Sequence, residues 1–186
     1  MSTITDDLQY LQVSLDELEI YLKSSALDWL MPGSVSGSNT PCPNLTPAAF
    51  LLIRARLRIP GLSTQEQQLL EIIDQQTAAI LGRWRTAWDH KASQEFSMRL
   101  DLWRHFLEDY QDAPQEQAPY YRYEVTQRVY LEFLHSMLPN IDSDLNILDE
   151  GLKLFFIPGI FIWETAQESV FKQNPYWFLY GTLKPG

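Results

Sequence analysis

A glutamate and a histidine three positions apart, Glu132 and His135, are the residues whose types and spacing best fit metal chemistry. On a helix this spacing places both side chains on one face, as in the carboxylate-bridged di-metal sites of helical bundles. Those sites need two copies of the motif and further glutamates, whereas this chain has one copy, with Glu95, His105 and Glu124 as further candidate residues. We favour a solvated polar stripe opposite Val125 and Val129, so no cofactor is expected.

A polar pair, Glu95 and Arg99, falls within an aromatic arc of one predicted helix. At about 100° per residue, that arc contains Trp88, Ala92, Phe96, Trp103 and Phe106. Because an isolated buried charge is costly, we predict that Glu95 and Arg99, four positions apart, pair with each other. A structural ion pair is the favoured interpretation, and a polar anchor in a partner-binding surface is the alternative.

Five arginines form a candidate basic patch in the middle of the chain: Arg54, Arg56, Arg58, Arg83 and Arg85. The whole chain is acidic, with 24 acids against 14 bases and a formal net charge of −10. This balance disfavours a general nucleic-acid binder, because phosphate binding depends on cationic side chains. The patch supports a nucleic-acid-associated regulator only if acids do not interleave with the arginines in space. A salt-bridged helix surface is the favoured interpretation.

Further features of the sequence limit the class of protein. The chain has 1 cysteine, Cys42, which excludes an intrachain disulfide and a cysteine-based metal site and favours a reducing compartment. No glycine-rich phosphate loop is present. The N-terminal residues lack the features of a signal peptide, and no apolar run approaches the roughly 20 residues of a membrane helix. We therefore predict a cytoplasmic protein that does not bind a membrane.

Leucine spacing predicts the first helix. Steps of three and four place five leucines on one stripe: Leu8, Leu11, Leu15, Leu18 and Leu22. Thr5 is the predicted N-cap, and the Pro32-Gly33 pair predicts that the helix ends near Met31. A loop rich in glycine, serine and proline then spans 32–45.

Capping signals predict where two more helices begin. Thr46 before Pro47 is a favourable N-cap and first-turn pair, and opens a helix that ends near Arg58. Ser63 with Glu66 three residues later forms a capping box, which opens the next helical segment.

The segment 64–112 has helical periodicity and contains no proline. One helix of that length would span about 70 Å, which exceeds the size of a compact domain. We therefore expect either a protruding helical hairpin or a break near Asp89–Ser93. After a proline-bracketed turn, helices are predicted at 119–138 and at 143–156.

The C-terminal residues have no helical period and are rich in aromatic side chains: Phe155, Phe156, Phe161, Trp163, Phe171, Tyr176, Trp177, Phe178 and Tyr180. Prolines and glycines separate them, which predicts irregular structure or short strands. In the favoured interpretation this arm covers an open end of the helical bundle. In the alternative, Trp163, Tyr176 and Trp177 belong to a docking surface, where tryptophan and tyrosine are common anchors.

These patterns predict a mostly α protein: an irregular helical bundle with one long helix or helical hairpin and an aromatic-rich, largely non-helical C-terminal arm. The predicted division is a helical domain at 1–154, with a mobile loop at 32–45, and the arm at 155–186 packed on it. Without a catalytic motif, the favoured function is a protein–protein interaction or assembly module, such as an adaptor, accessory subunit or regulatory partner, without catalytic activity. The alternatives are a metal-binding helical protein or enzyme using Glu and His on adjacent helices, and a nucleic-acid-associated regulator using the arginine patch.

Overall fold

A computed structural model of the protein describes residues 3–31, 43–138 and 144–186. The helices are α1 Ile4–Lys23, α2 Pro47–Arg56, α3 Thr64–Arg83, α4 Arg85–Asp112, α5 Pro114–Gln117, α6 Tyr121–Met137 and α7 Leu145–Phe155. Two antiparallel strands follow, β1 Phe156–Phe161 and β2 Tyr180–Leu183. The predicted mostly α class with an aromatic C-terminal region is confirmed. Cys42 and the predicted loop at 32–45, apart from 43–45, lie outside the described residues.

The chain divides into two compact units, Met1–Glu95 and Phe96–Gly186, and the division falls within α4. In the first unit α1 packs against α2 and α3. The predicted leucine stripe of α1 is buried throughout. The sequence-based division into 1–154 and 155–186 stays a prediction.

Helix α1 begins and ends earlier than its sequence predicts. Its N-cap is Thr3 rather than Thr5, because the Thr3 hydroxyl accepts a hydrogen bond from the Asp6 amide at 3.1 Å and the Asp6 carboxylate accepts one from the Thr3 amide at 2.8 Å. The predicted end near Met31 is wrong, since the helix ends at Lys23. Ser24 is extended there, and Lys91 Nζ donates to the Ser24 carbonyl at 3.1 Å. A distant side chain thus holds the first carbonyl beyond the helix.

The capping predictions for α2 and α3 are confirmed. Thr46 Oγ1 accepts from the Ala49 amide at 3.2 Å, with Pro47 in the first turn of α2. Ser63 and Glu66 form the reciprocal capping box of α3. Both signals are local, so neighbouring residues suffice to set these two starts.

The segment 64–112 is interrupted at Trp84, and the predicted break near Asp89–Ser93 is wrong because those residues lie inside continuous α4. Trp84 leaves the helical region with φ −114° and ψ 26°, although its amide still donates to the Ile80 carbonyl at 3.0 Å. Its indole Nε1 donates to Glu19 at 2.7 Å. A tertiary hydrogen bond therefore accompanies the interruption, where the sequence offers only a nearby glycine, Gly82.

In the second unit, the C-terminal part of α4 runs antiparallel to α6. Phe96 lies against His135, and Trp103 against Tyr121, so positions ascend on one helix as they descend on the other. The Tyr121 hydroxyl donates to the Phe178 carbonyl at 2.7 Å, which ties α6 to the segment before β2. Short strands and irregular turns at the C-terminus agree with the prediction.

None of the helices within 3–31, 43–138 and 144–186 has the length and apolar character required to cross a membrane.

Candidate functional site

Each arginine of the candidate basic patch pairs with an acid. Arg54 and Arg58 both bind Asp74, the former at 2.6 Å. The remaining pairs are Arg56 with Asp7 at 3.3 Å, Arg83 with Glu19 at 3.6 Å and Arg85 with Asp89 at 2.8 Å. Acids therefore interleave with these arginines in space. This pairing argues against a free cationic surface that could bind phosphates. It favours the interpretation of these arginines as a salt-bridged helix surface.

The candidate metal ligands Glu132 and His135 lie on one face of α6, as their spacing predicts. Glu132 accepts from Arg128 Nη1 at 2.9 Å, and the His135 ring lies 6.3 Å from the Phe96 ring. No group of three or more His, Cys, Asp or Glu side chains in the described parts of the chain is arranged to hold a metal ion. Glu132 therefore serves here as an ion-pair partner.

Glu95 is fully buried at the start of α2. Its Oε2 accepts a hydrogen bond from the Ala48 amide at 2.8 Å, while the neighbouring Ala49 amide is held by Thr46. The first turn of α2 contains no acid of its own. A carboxylate at a helix N-terminus is favourable because it satisfies a free amide and complements the helix dipole. This contact explains a buried charge in the aromatic arc; pairing with Arg99 stays a prediction.

Arg99 lies in the second unit between α4 and α6. Its Nη1 donates to Gln127 Oε1 at 3.0 Å, and its guanidinium carbon lies 4.5 Å from the centre of the Tyr130 ring. A guanidinium over an aromatic face is a stabilising arrangement. These contacts hold Arg99 against α6.

The predicted docking aromatics lie half-buried in an aromatic cluster at the C-terminus. Tyr176 packs edge-on against Phe171 at 5.2 Å, and burial, with nearby Glu132, raises the pKa of Tyr176 to about 12. Trp163 also contacts Phe171, at 5.4 Å. Trp177 packs at 5.3 Å against Phe156, the first residue of β1. Of these three residues, Trp177 therefore contacts strand β1.

Helix α7 buries one carboxylate among its leucines and exposes two large aliphatic side chains. Its Asp149 is buried, held by Arg128 through two hydrogen bonds of 2.9 and 2.8 Å. Burial opposes the charge on Arg128, but the bonded Asp149 outweighs it, so the pKa of Arg128 is raised. On the outer side of the same helix, Ile147 and Leu154 are 70% and 77% exposed. A carboxylate thus faces inward while two large aliphatic side chains face water.

Along the chain, exposed apolar side chains continue from α7 into β1. Ile157 and Ile160 are 40% and 86% exposed, and no charged residue occurs between Phe155 and Trp163. We call Ile147, Leu154, Ile157 and Ile160 the α7–β1 apolar surface. On α7, Gly151 lies between Ile147 and Leu154, and a Cβ placed there would meet no atom within 4 Å.

Single exposed apolar residues scattered over a protein surface are normal. The residues of this surface differ because they lie close together in the sequence. Its four members fall within 147–160, whereas the other large exposed side chains of the described chain are spread from Ile20 to Tyr123. This surface was not predicted from the sequence, although the apolar residues of 145–155 cover more than one helix face, which is one readable signal.

No family model, curated protein or solved structure matches this chain.

Proposed function

We propose that the protein is a protein–protein interaction module whose α7–β1 apolar surface docks another protein. The observation that carries this proposal is the exposure of Ile147, Leu154 and Ile160 on a segment whose buried side is already filled. Large exposed apolar patches are characteristic of interaction sites, and we infer such a patch here because these exposed side chains fall within 14 consecutive residues, 147–160.

A comparison of the free energy gained by burial with the free energy cost of association indicates how large the interface must be. Covering the exposed parts of these four aliphatic side chains, which are 40% to 86% exposed, supplies about 4–8 kcal/mol. Association itself costs an estimated ~4–15 kcal/mol. The apolar surface alone therefore gives weak binding at best, and a stable complex needs neighbouring contacts. Half-buried Trp177 and exposed Lys153, whose Nζ lies 5.5 Å from the Trp177 ring, are suitably placed to supply them.

Charge favours a different protein over a second copy of this chain. Apart from the buried Asp149, the residues from 144 to 168 include four acids and one base: Asp144, Glu150, Glu164, Glu168 and Lys153. Two such acidic surfaces would repel each other, whereas a partner with basic residues around an apolar centre would complement this one.

A comparison of matched variants tests the proposal. Four N-terminally tagged proteins are each purified from the native cells: wild type and the variants Leu154→Asp, Ile160→Asp and Leu30→Asp. Leu30 is the control because it is 79% exposed, close to the 77% of Leu154, but lies in the first unit. Each variant is first checked for unchanged circular dichroism and melting temperature.

We expect a stoichiometric partner with wild type and Leu30→Asp that is depleted about tenfold or more in both α7–β1 variants. Direct binding of the purified partner to the same four proteins then measures the loss. Equal recovery of every co-purifying protein by all four samples contradicts the proposal. A wild-type homodimer that Leu154→Asp converts to a monomer would instead identify a second copy as the occupant.

A further inference from the structure

A surface groove of about 560 Å³ lies in the first unit beside Trp84. Leu22, Trp84 and Ala87 are among its apolar lining residues, and Arg83, His90 and Lys91 also line it. Among the described residues that line the groove, none carries a carboxylate. Pockets for small ligands commonly have this size, a mostly apolar wall and a few polar groups.

Lys91 is the unusual member of this lining. It is 4% exposed, and its Nζ donates to the carbonyls of Ser24 and Ala26 and lies 4.3 Å from the centre of the Tyr21 ring. Among the described residues no carboxylate pairs with it. Burial lowers the pKa of Lys91. Buried charges in proteins are normally compensated by an opposite charge. The Lys91 ammonium instead has two carbonyl oxygens and an aromatic ring as partners, and no anion.

The charged side chains that line the groove have the opposite sign to the protein as a whole. Arg83 stands at the rim with its side chain 63% exposed, and Lys23 Nζ lies 4.9 Å from the centre of the Trp84 ring. The acids nearby do not line the groove and already have partners: Glu19 accepts from the Trp84 indole at 2.7 Å, Asp28 from Asn44 at 2.6 Å and Glu95 from the Ala48 amide at 2.8 Å. In a chain of net charge −10, a lining that carries cations and no described carboxylate favours an anion.

We propose that the Trp84 groove binds a small monoanionic carboxylate with a planar or aliphatic apolar body. The carboxylate takes the place of the missing counter-charge of Lys91, and Arg83 at the rim attracts it. The apolar body lies against Trp84, Leu22 and Ala87. This site is independent of the α7–β1 apolar surface, so either proposal can fail without the other.

Three probes of one shape test the charge requirement. They are 2-naphthoate, neutral 2-naphthamide and cationic 2-naphthylmethylammonium, each titrated into the full chain and followed by amide NMR shifts and calorimetry. We expect 2-naphthoate to shift the amides of Trp84 and Lys91 and to bind at least about tenfold more tightly than the amide probe. The cationic probe is expected to bind more weakly still.

Arg83→Gln and Arg85→Gln form a matched pair of variants. Both side chains are 63% exposed and ion-paired, but only Arg83 lines the groove. Arg83→Gln is expected to weaken 2-naphthoate binding severalfold, and Arg85→Gln to leave it unchanged. Lys91→Met removes the buried charge and is expected to abolish the preference for 2-naphthoate over 2-naphthamide.

Equal affinity for 2-naphthoate and 2-naphthamide overturns the proposal, as does the absence of shifts at Trp84 and Lys91. Equal effects of Arg83→Gln and Arg85→Gln also overturn it. If Lys91→Met does not fold, the three probes and the two arginine variants still test whether the groove binds a carboxylate.

Discussion

Arg128 on α6 donates two parallel hydrogen bonds to Asp149 on α7, from Nε to Oδ1 at 2.9 Å and from Nη2 to Oδ2 at 2.8 Å. Its remaining nitrogen, Nη1, donates to Glu132 at 2.9 Å, and its guanidinium carbon lies 4.4 Å from the centre of the Phe178 ring. This arrangement fixes the inward side of α7. It therefore also determines which side of that helix presents Ile147 and Leu154 to solvent.

Removing one partner of this buried pair is expected to be strongly destabilising. Asp149→Ala leaves the Arg128 guanidinium with only Glu132, and we expect a loss of about 3–5 kcal/mol in the free energy of unfolding. The double variant Arg128→Met, Asp149→Leu removes both charges and should recover much of that loss. Arg104→Gln breaks more exposed ion pairs, with Asp101 and Asp144, and should cost about 1 kcal/mol or less per pair. Urea denaturation of all four proteins measures these differences, and equal losses for Asp149→Ala and Arg104→Gln would refute this account.

Glu95 is expected to stabilise the start of α2 from a distance. Glu95→Ala removes a charged acceptor from the Ala48 amide and should cost about 1.5–3 kcal/mol. Thr46→Ala removes the local cap of Ala49 and should cost about 1 kcal/mol. Hydrogen exchange distinguishes the two, since Ala48 should lose protection in the first variant and Ala49 in the second. Unchanged exchange at Ala48 in Glu95→Ala would show that this contact does not support the helix.

Two glycines of the second unit should respond oppositely to alanine. At Gly181, paired with Pro158 across the two strands, a Cβ would clash with the Ile157 carbonyl and come within 2.5 Å of the Phe156 ring. Gly181→Ala should therefore lower the melting temperature and disturb the β1–β2 pairing. At Gly151, inside α7 with open space around it, alanine should stabilise by about 0.5–1 kcal/mol. Thermal unfolding measures the melting temperatures of both variants. An unchanged melting temperature for Gly181→Ala would contradict the close packing of the strands at this position.

Buried tyrosines are expected to make the protein sensitive to alkali. Burial raises the pKa of Tyr176 to about 12 and also raises that of Tyr121. Above pH ~10 a tyrosine of the unfolded chain loses its proton while the folded one keeps it. The folded state then binds more protons, so stability present below pH ~10 falls as the pH rises toward about 12.

Tyr176→Phe tests this dependence. The variant should show a shallower loss of stability between pH ~10 and 12, by at most about 1.4 kcal/mol per pH unit. Tyr123→Phe, at a position 72% exposed, is the control and should follow the wild-type slope. Denaturation at a series of pH values measures the slopes, and identical curves for wild type and Tyr176→Phe would rule out a contribution from this hydroxyl.

The features that the sequence alone determines are those whose causes lie within a few residues of each other. The caps at Thr46 and Ser63 and the leucine stripe of α1 depend on neighbours along one helix, so spacing predicts them. The aromatic C-terminal region likewise follows from composition, since its prolines and glycines interrupt helical periodicity. The mostly α class is the sum of such local signals.

Tertiary structure decided the features whose causes are distant in sequence. Lys91 binds the end of α1 across 67 positions, Glu19 binds Trp84 at the interruption across 65, and Glu95 holds the start of α2 across 47. No local pattern contains these partners. The exposed side of α7 is a further case, because its apolar residues lie on two faces: Leu145 and Leu152 are buried, whereas Ile147 and Leu154 are exposed. The buried face also carries Asp149, which Arg128 on α6 binds across 21 positions. Packing against distant residues therefore fixes the position of the α7–β1 apolar surface.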